Sequence, residues 1–341
     1  MNPALTKKGI CAWFGITYQA HQQMKRRRWQ RAIQEGLVLS RVREIRQELP
    51  RIGVRKLHHL LQDFYQAHGI AMGRDRLADL LRRHGLLVRK KRKGTRTTFP
   101  GGIRSENLLV SMVITEPNQV VVVDITYIET EQGFLYLALV TDLYSRKIIG
   151  WDLSSSLSVE GVTRAMEQAM AHIRQAGGAT QGLIHHSDHG SQYTSRSYQT
   201  LLREAGIRPS MGAVGNAYDN AVAERVNGIL KLEFLLDQRF PDAESAYRAV
   251  AQAIEAYNTK RPHLSLNYAT PAAVYAHGMQ QTGAQPAIAE RDQKAPSQSR
   301  VGATGPDLRQ PLTGSSFLTP SELAGCAAVL NSSYGNVLPP S

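Results

Sequence analysis

Three carboxylates occupy positions where a folded sheet would bring them together. Asp124 lies within a β-branched run that predicts a strand, Asp188 ends a second, shorter apolar run, and Glu224 falls on a predicted helix. A carboxylate inside an apolar strand is costly unless a cation or another partner compensates its charge. Carboxylates gathered without cysteine ligands suit a hard cation, Mg²⁺ or Mn²⁺. The sequence therefore predicts a metal site at these three residues.

The elements that must position these carboxylates read as a mixed sheet. The β-branched and apolar runs predict a three-stranded antiparallel meander, followed by short strands that alternate with helices. This order predicts an α/β fold in which parallel strands extend the meander and helices cover both faces, with Asp188 placed beside Asp124. The predicted strands are 120–128, 134–140, 148–153, 183–185 and 207–211, and the predicted helices are 159–176, 195–205, 219–236 and 242–257.

The positive charge is concentrated at one end of the chain. The net charge is +13, and residues 1–104 hold 24 Lys and Arg against 6 Asp and Glu, so the remaining residues are slightly acidic. Such an asymmetry favours double-stranded DNA as the partner of the first third. Residues 1–88 show helical apolar spacing, and a helix, a tight turn at Gly15 and a second helix over 17–28 predict an all-α helix-turn-helix region.

The candidate DNA contacts of this region are its basic side chains. Those on the predicted helices face away from the apolar stripes, and a further basic run falls in a linker over residues 89–116 that is too charged to pack. These candidates are Arg55, Lys56, Arg74, Arg76, Arg89, Lys90, Lys91, Arg92 and Lys93.

Composition excludes several classes of protein. Only two cysteines occur, Cys11 and Cys326, so a disulfide framework and a cysteine-based metal site are not expected. No apolar run approaches the roughly 18 residues of a membrane span, and we expect a bacterial cytoplasmic protein that associates with the nucleoid when bound to DNA. The catalytic core is expected over 117–279, and the Gln-, Ser-, Gly- and Pro-rich segment 280–341 is predicted to be disordered.

Five blocks of the sequence resemble the catalytic domain of transposases of the insertion-sequence-3 family, which are relatives of retroviral integrases. The 35 residues between Asp188 and Glu224 match the spacing of that family, and Lys231 follows the glutamate by seven residues, as in integrases. The blocks are VVVDITYIE, LVTDLYSRKIIGW, HHSDHGSQY, SMGAVGNAYDNAVAERVNGILKLE and YNTKRPH.

The resemblance implies a ribonuclease-H-like fold and phosphoryl transfer that uses two metal ions, Mg²⁺ or Mn²⁺. Asp124 would bridge both ions, whereas Asp188 and Glu224 would each hold mainly one. The implied reaction nicks the end of an insertion element to free a 3′-hydroxyl, which then attacks another phosphodiester. No covalent intermediate with the protein is needed.

For most of the further residues near the three carboxylates, the sequence leaves two roles open. Lys231 lies almost two helical turns after Glu224, so it leaves the helix on the same face and can contact a DNA phosphate, or it is a solvated lysine. His186 is interpreted as a supporting residue, although three nearby histidines leave a zinc site open. Asn220 either orients Glu224 or starts the helix. Three residues after the last helix are assigned to DNA, because a phosphate contact is favoured over a structural role at a turn: Asn258, Arg261 and His263.

Two other functions remain open at this point. A nuclease of the same fold would cut without rejoining, and a DNA-binding repressor would use the core only as an interaction platform. The expected partners of a transposase are double-stranded DNA at the element ends and at the target, further copies of the chain, and the protein of an upstream reading frame.

Overall fold

The computed structural model describes residues 6–88, 107–109, 112–212 and 221–283. Its C-terminal part is built on a five-stranded sheet in the order β3-β2-β1-β4-β5. The first three strands are antiparallel, β4 runs parallel to β1, and β5 runs parallel to β4. The predicted ribonuclease-H-like mixed sheet is therefore confirmed. The strands are β1 (Val120–Thr130), β2 (Gly133–Asp142), β3 (Ile148–Ser154), β4 (Ile184–Ser187) and β5 (Arg208–Met211).

Helices cover both faces of this sheet because the side chains of its strands alternate in direction. Val121 and Val123 of β1 share an apolar cluster with α6 and α8, whereas Ile128 belongs to a second cluster with α9 and α10. The helices of this part are α6 (Val159–Gln175), α7 (Ser191–Thr194), α8 (Arg196–Glu204), α9 (Ala221–Glu233), α10 (Ala243–Thr259) and α11 (Pro271–Gly283).

The N-terminal part is helical, as predicted, but its second helix is longer than the sequence suggested. A turn at Gly15, whose φ of +66° favours glycine, separates α1 from α2. The prediction that the second helix ends at Arg28 is wrong, because no proline interrupts the chain before Pro50 and Val42 is buried on the same helix. The helices are α1 (Lys7–Trp13), α2 (Tyr18–Glu48), α3 (Val54–Leu60), α4 (Gln62–Ala67) and α5 (Arg74–Arg83).

The N-terminal helices share one apolar core with the helices that cover one face of the sheet. Leu57 and Leu61, from the N-terminal helices, belong to the same apolar cluster as Val226 and Ile229 of α9. The N-terminal helices therefore pack toward the helix that carries Glu224. None of the helices in the described ranges combines the length and the apolar character that a membrane crossing requires.

Two predicted segments lie wholly or partly outside the described residues. The basic run of the linker, Arg89 to Lys93, falls in one gap, and almost all of the predicted tail falls beyond residue 283. The helix α11 extends four residues past the predicted core boundary at residue 279.

Candidate active site

Asp124 lies near the middle of β1, on the face that α9 covers. Its neighbours Val123 and Ile125 pack in the cluster on the opposite face, as the alternation of a strand requires. The Ile125 amide donates a hydrogen bond of 3.0 Å to one carboxylate oxygen of Asp124. The other oxygen accepts a hydrogen bond of 2.6 Å from the Asn227 side chain of α9. Both oxygens are thus oriented by groups of the protein.

The register between β1 and β4 brings the second carboxylate beside the first. Val122 pairs with His186 in the parallel ladder, and continuing this register by two residues places Asp124 opposite Asp188. One Asp188 oxygen accepts a hydrogen bond of 3.0 Å from the Gly190 amide. The crossover through α6 therefore produces the neighbouring pair that the sequence predicted.

Glu224 approaches the same place from the first turn of α9. The side chain is exposed, and Asn227, which binds Asp124, lies one helical turn later on the same face. Residue 220 falls within the gap over residues 213–220, so the predicted role of Asn220 lies outside the described residues.

The electrostatics of this cluster favour a cation. Desolvation and the negative charge of Asp188 raise the pKa of Asp124 to about 7, with a further contribution from Glu224 and against the hydrogen bonds from Ile125 and Asn227. None of the three carboxylates forms an ion pair with another described residue. A divalent ion would supply the missing positive charge.

The donor set fits a hard cation, although the side chains are not arranged as a closed metal site. Three carboxylates supply oxygen ligands without sulfur, and the Asn227 Oδ1 atom is buried without a hydrogen-bond partner. Among the described residues, no group of three His, Cys, Asp or Glu side chains is arranged to hold a metal ion. The three histidines of the zinc alternative, His185, His186 and His189, are among these described residues.

Lys231 lies in contact with the strand that carries Asp124. Its Nζ atom is 3.7 Å from the centre of the Tyr127 ring, a cation–π contact. Burial lowers the pKa of Lys231, and the negative charge of Asp124 opposes this shift. The ammonium group of Lys231 is therefore close enough to Asp124 to interact with its negative charge. The spacing in the sequence did not decide between this position and a solvated lysine.

His186 is buried in β4 next to the carboxylate pair. Its Nδ1 atom lies 3.0 Å from the Ser210 hydroxyl, and that hydroxyl accepts a hydrogen bond from the Leu108 amide. These contacts connect β4 to β5 and to the short described segment 107–109. A supporting role remains the interpretation of His186.

The predicted DNA contacts on the N-terminal helices separate into exposed and buried residues. Arg55 and Arg74 are exposed, and Arg74 pairs with the neighbouring Asp75. Arg76 is partly exposed and lies 3.8 Å from Glu35. Lys56 is only 7% exposed, so its assignment to DNA is corrected: it is an internal ion-pair partner.

The three residues that follow α10 are buried as well, which corrects their assignment to phosphate contact. Asn258 bridges the backbone amide and carbonyl of Ile148, at 3.0 and 2.9 Å, and so fixes β3. The Arg261 side chain binds a carboxylate inside the protein, and His263 packs edge-on against Tyr257. All three residues therefore have the structural role that the sequence analysis gave as the alternative to phosphate contact.

The carboxylate that binds Arg261 is Glu233, which sequence reasoning missed. Both of its oxygens also lie 2.9 Å from the Lys56 ammonium. The available signal was an acidic residue between apolar neighbours at the end of a predicted helix, the same signal that identified Asp124. Asn227 was missed too, although its position one turn after Glu224 on the predicted helix was readable.

Family models match most of the described chain. One described as an integrase core domain matches residues 114–217, and a second with the same description matches residues 205–271. An HTH-like domain matches residues 33–94. This match begins within α2 and leaves out α1, so it places the helix-turn-helix later than the predicted turn at Gly15.

Two curated relatives are transposases of insertion sequences. The chain is 35% identical over 235 residues to the transposase for insertion sequence element IS904 of Lactococcus lactis, which covers 63% of the chain and 91% of that relative. It is 36% identical over 207 residues to transposase InsF for insertion sequence IS3A of Escherichia coli, covering 60% of the chain and 70% of the relative.

Among solved structures, the catalytic core domain of BIV integrase matches with a TM-score of 0.38 and 20% identity. The match covers 49% of the chain and 99% of that structure.

Proposed function

The chain belongs to the insertion-sequence transposases of the insertion-sequence-3 type, which carry an integrase core domain, and from this premise we propose that it cleaves and joins DNA strands at the ends of an insertion element with divalent metal ions. The observation that supports this most is the parallel pairing of β1 with β4, whose register, continued by two residues, sets Asp124 opposite Asp188. The helix that carries Glu224 contacts Asp124 through Asn227.

The three carboxylates are proposed to hold two Mg²⁺ or Mn²⁺ ions. Asp124, at the centre of the cluster, would contact both, while Asp188 and Glu224 would each contact mainly one. Bound ions of this kind lower the pKa of a water or 3′-hydroxyl nucleophile and stabilise the leaving oxygen. The raised pKa of Asp124 supports the proposal, because a cation would restore the charged form of this carboxylate.

The surrounding residues have positioning roles in this proposal. The Asn227 amide, by donating to Asp124, holds one oxygen of the carboxylate in a fixed direction. The Lys231 ammonium would bind a backbone phosphate of the DNA end as a point charge next to the scissile bond. Displacing it from the Tyr127 ring costs about 0.5–2 kcal/mol, because cation–π contacts range from about 0.5 kcal/mol when exposed to about 2 kcal/mol when desolvated and Lys231 is half-buried.

The N-terminal helices are proposed to bind the duplex at the element ends. Arg55, Arg74 and Arg76 remain the candidate phosphate contacts there, together with the linker residues Arg89 to Lys93. Cutting two ends requires at least two active sites, so the active form is proposed to be an oligomer on DNA. A partner protein from an upstream reading frame is retained as a proposal.

A strand-joining assay with the DNA that flanks the gene tests this function. DNA duplexes with the sequence from either side of the gene are incubated with the full chain and Mg²⁺ or Mn²⁺. The control reaction contains EDTA, which removes the metal ions. We expect nicks at the element ends and joined products that require the metal. Nicks without joined products would support the nuclease alternative, and binding without either product would support the repressor.

A further inference from the structure

A buried ion-pair network connects the N-terminal helices to the far end of the catalytic helix. The Lys56 ammonium of α3 lies 2.9 Å from both oxygens of Glu233, at the end of α9. The Arg261 guanidinium binds the same two oxygens with its Nε and Nη2 atoms, each at 2.9 Å. Arg261 is 2% exposed, so one carboxylate is shared by two buried cations.

Other contacts at the same place strengthen this connection. The Arg51 amide donates a hydrogen bond of 3.0 Å to the Glu233 carbonyl, close to the end of α9. The Arg51 side chain lies 3.9 Å from Asp237, just beyond that helix. Leu57, next to Lys56, is fully buried in the cluster that includes Leu230 of α9. The start of α3 and the end of α9 thus form one packed unit.

Stability alone does not explain this choice of residues. Removing three charged groups from water is expensive, and apolar residues of the same size are often as stable or more stable in such positions. Charged, bidentate groups differ from apolar ones in fixing direction and register. The network is therefore suited to fixing where α9 ends relative to α3.

The position of Glu233 matters because of what α9 carries at its other end. Glu224 precedes it by nine residues, about 14 Å along the helix axis, and Asn227 lies between them against Asp124. The helix is thus held at two points, by Asp124 near its start and by Lys56 and Arg261 at its end. A change in the contacts at the end of the helix would therefore rotate or shift α9 about its contact with Asp124.

We propose that Lys56 and Glu233 are positioning residues, which set the placement of Glu224 according to how the N-terminal DNA-binding helices are docked. The inference rests on the proposed function, since it concerns the same metal site. It explains why the second of two adjacent basic residues of α3 is buried: Arg55 faces solvent, where it can bind DNA, whereas Lys56 faces α9.

The adjacent residues give a matched pair of variants. In the full chain we would compare Lys56→Met, which keeps the size of the side chain, with Lys56→Arg, Arg55→Met and Arg248→Met. Arg248 forms an exposed ion pair with Glu244 on α10 and is outside the proposed machinery. The measurements are kcat and KM for joining a pre-cut end, the Mn²⁺ concentration at half-maximal rate, and the unfolding temperature.

For Lys56→Met we expect a fall in kcat of about 10- to 100-fold, because small misplacements of catalytic groups have effects of this size. The Mn²⁺ requirement should rise several-fold, roughly in keeping with a displaced ligand, while KM for the DNA stays near the wild-type value. Lys56→Arg should restore most of kcat. Arg55→Met should raise KM without changing kcat, and Arg248→Met should change neither.

Each other result overturns the inference. A folded Lys56→Met protein with wild-type kcat and Mn²⁺ requirement would show that the network does not position Glu224. A rise in KM for the DNA alone would show that Lys56 is a DNA contact. If Lys56→Met fails to fold, Lys56→Gln is measured in the same way. Failure of both would make Lys56 a folding residue. A wild-type chain without joining activity would instead contradict the proposed function.

Discussion

Two charged clusters lie near the two ends of α9. The open cluster, at the start, holds the three carboxylates Asp124, Asp188 and Glu224, and the closed cluster, at the end, holds Glu233 with the cations Lys56 and Arg261. At the end, burial alone would raise the pKa of Glu233, but the hydrogen bonds and charges of Arg261 and Lys56 outweigh it and lower this pKa. At the start, desolvation and the charge of Asp188 raise the pKa of Asp124 to about 7. One cluster is neutralised by protein cations and the other gathers negative charge.

This difference separates a structural carboxylate from a candidate metal ligand. Burial and an apolar sequence context are common to Asp124 and Glu233, so neither property identifies a catalytic residue. The kind of neighbour distinguishes the two carboxylates: Glu233 contacts two cations, whereas Asp124 contacts an amide and lies beside other carboxylates. A site that repels itself without a bound cation is one that a cation can occupy.

The largest effect is expected on the joining rate, when a carboxylate of the open cluster is replaced. Asp124→Asn, Asp188→Asn and Glu224→Gln should each reduce joining by at least about a thousandfold, since each weakens a ligand of the proposed metal ions, whose positive charge stabilises the transition state. Binding of an element-end duplex should stay within a few-fold, because a different part of the chain is proposed to bind it. Gel-shift and joining assays on the same preparations separate the two. Joining by Asp188→Asn at the wild-type rate would remove that residue from the site.

Breaking the closed cluster by removing Glu233 should also lower the stability of the fold. Glu233→Ala leaves Lys56 and Arg261 buried without their counter-charge, which should lower the free energy of unfolding by about 3–5 kcal/mol. Urea denaturation measures this. Glu244→Ala, which removes an exposed ion pair with Arg248, is the control and should cost less than about 1 kcal/mol. Equal losses in both variants would contradict the assignment of Glu233.

The pH dependence of stability sharpens the comparison further. In metal-free protein the pKa of Asp124 is raised to about 7, above its unfolded value near 4, so the native state holds a proton that the unfolded state loses. The stability from this proton is present below about pH 4 and is lost as pH rises through about 7. Asp124→Asn should therefore raise the unfolding temperature at pH 8 and change it little at pH 5.

The control for this experiment is Asp63→Asn, an exposed residue on α4. Its effect on the unfolding temperature should be similar at the two pH values. A gain for Asp124→Asn at pH 5 that equals the gain at pH 8 would mean that the ionisation of the buried Asp124 is not its cause.

The smallest effect is expected from removing the end of the chain. The described residues, which end at residue 283, belong to one compact unit, and the family models end at residue 271. Deleting residues 288–341 should leave the joining rate and the unfolding temperature within a few-fold and a few degrees of the full chain. A loss of folding on deletion would show that the segment packs against the core.

The sequence was informative where local pattern determines structure. Runs of β-branched residues with turn signals predicted the meander, and the crossover order placed Asp188 beside Asp124. It was misleading for α2, where charge and aromatic residues obscured a continuous helix of 31 residues. A local turn signal at Gly15 was real, but the HTH-like match lies later in the chain.

Contacts between distant parts of the chain were beyond the reach of the sequence. Lys56 and Glu233 are separated by 177 positions, and a basic residue in a basic region gives no local sign of an internal partner. Arg261 and Asn258 were assigned to DNA for the same reason: their residue types suit phosphate, and only the fold shows that Glu233 and Ile148 are their partners.

Counting bound Mn²⁺ ions tests the central claim most directly. Electron paramagnetic resonance of free Mn²⁺, measured on the chain bound to a pre-cut element-end duplex, gives the number of ions per active site. We expect about two ions for the wild type and a loss of at least one in Asp124→Asn, with no change in Glu244→Ala. Equal Mn²⁺ binding by wild type and Asp124→Asn would show that the open carboxylate cluster is not the metal site.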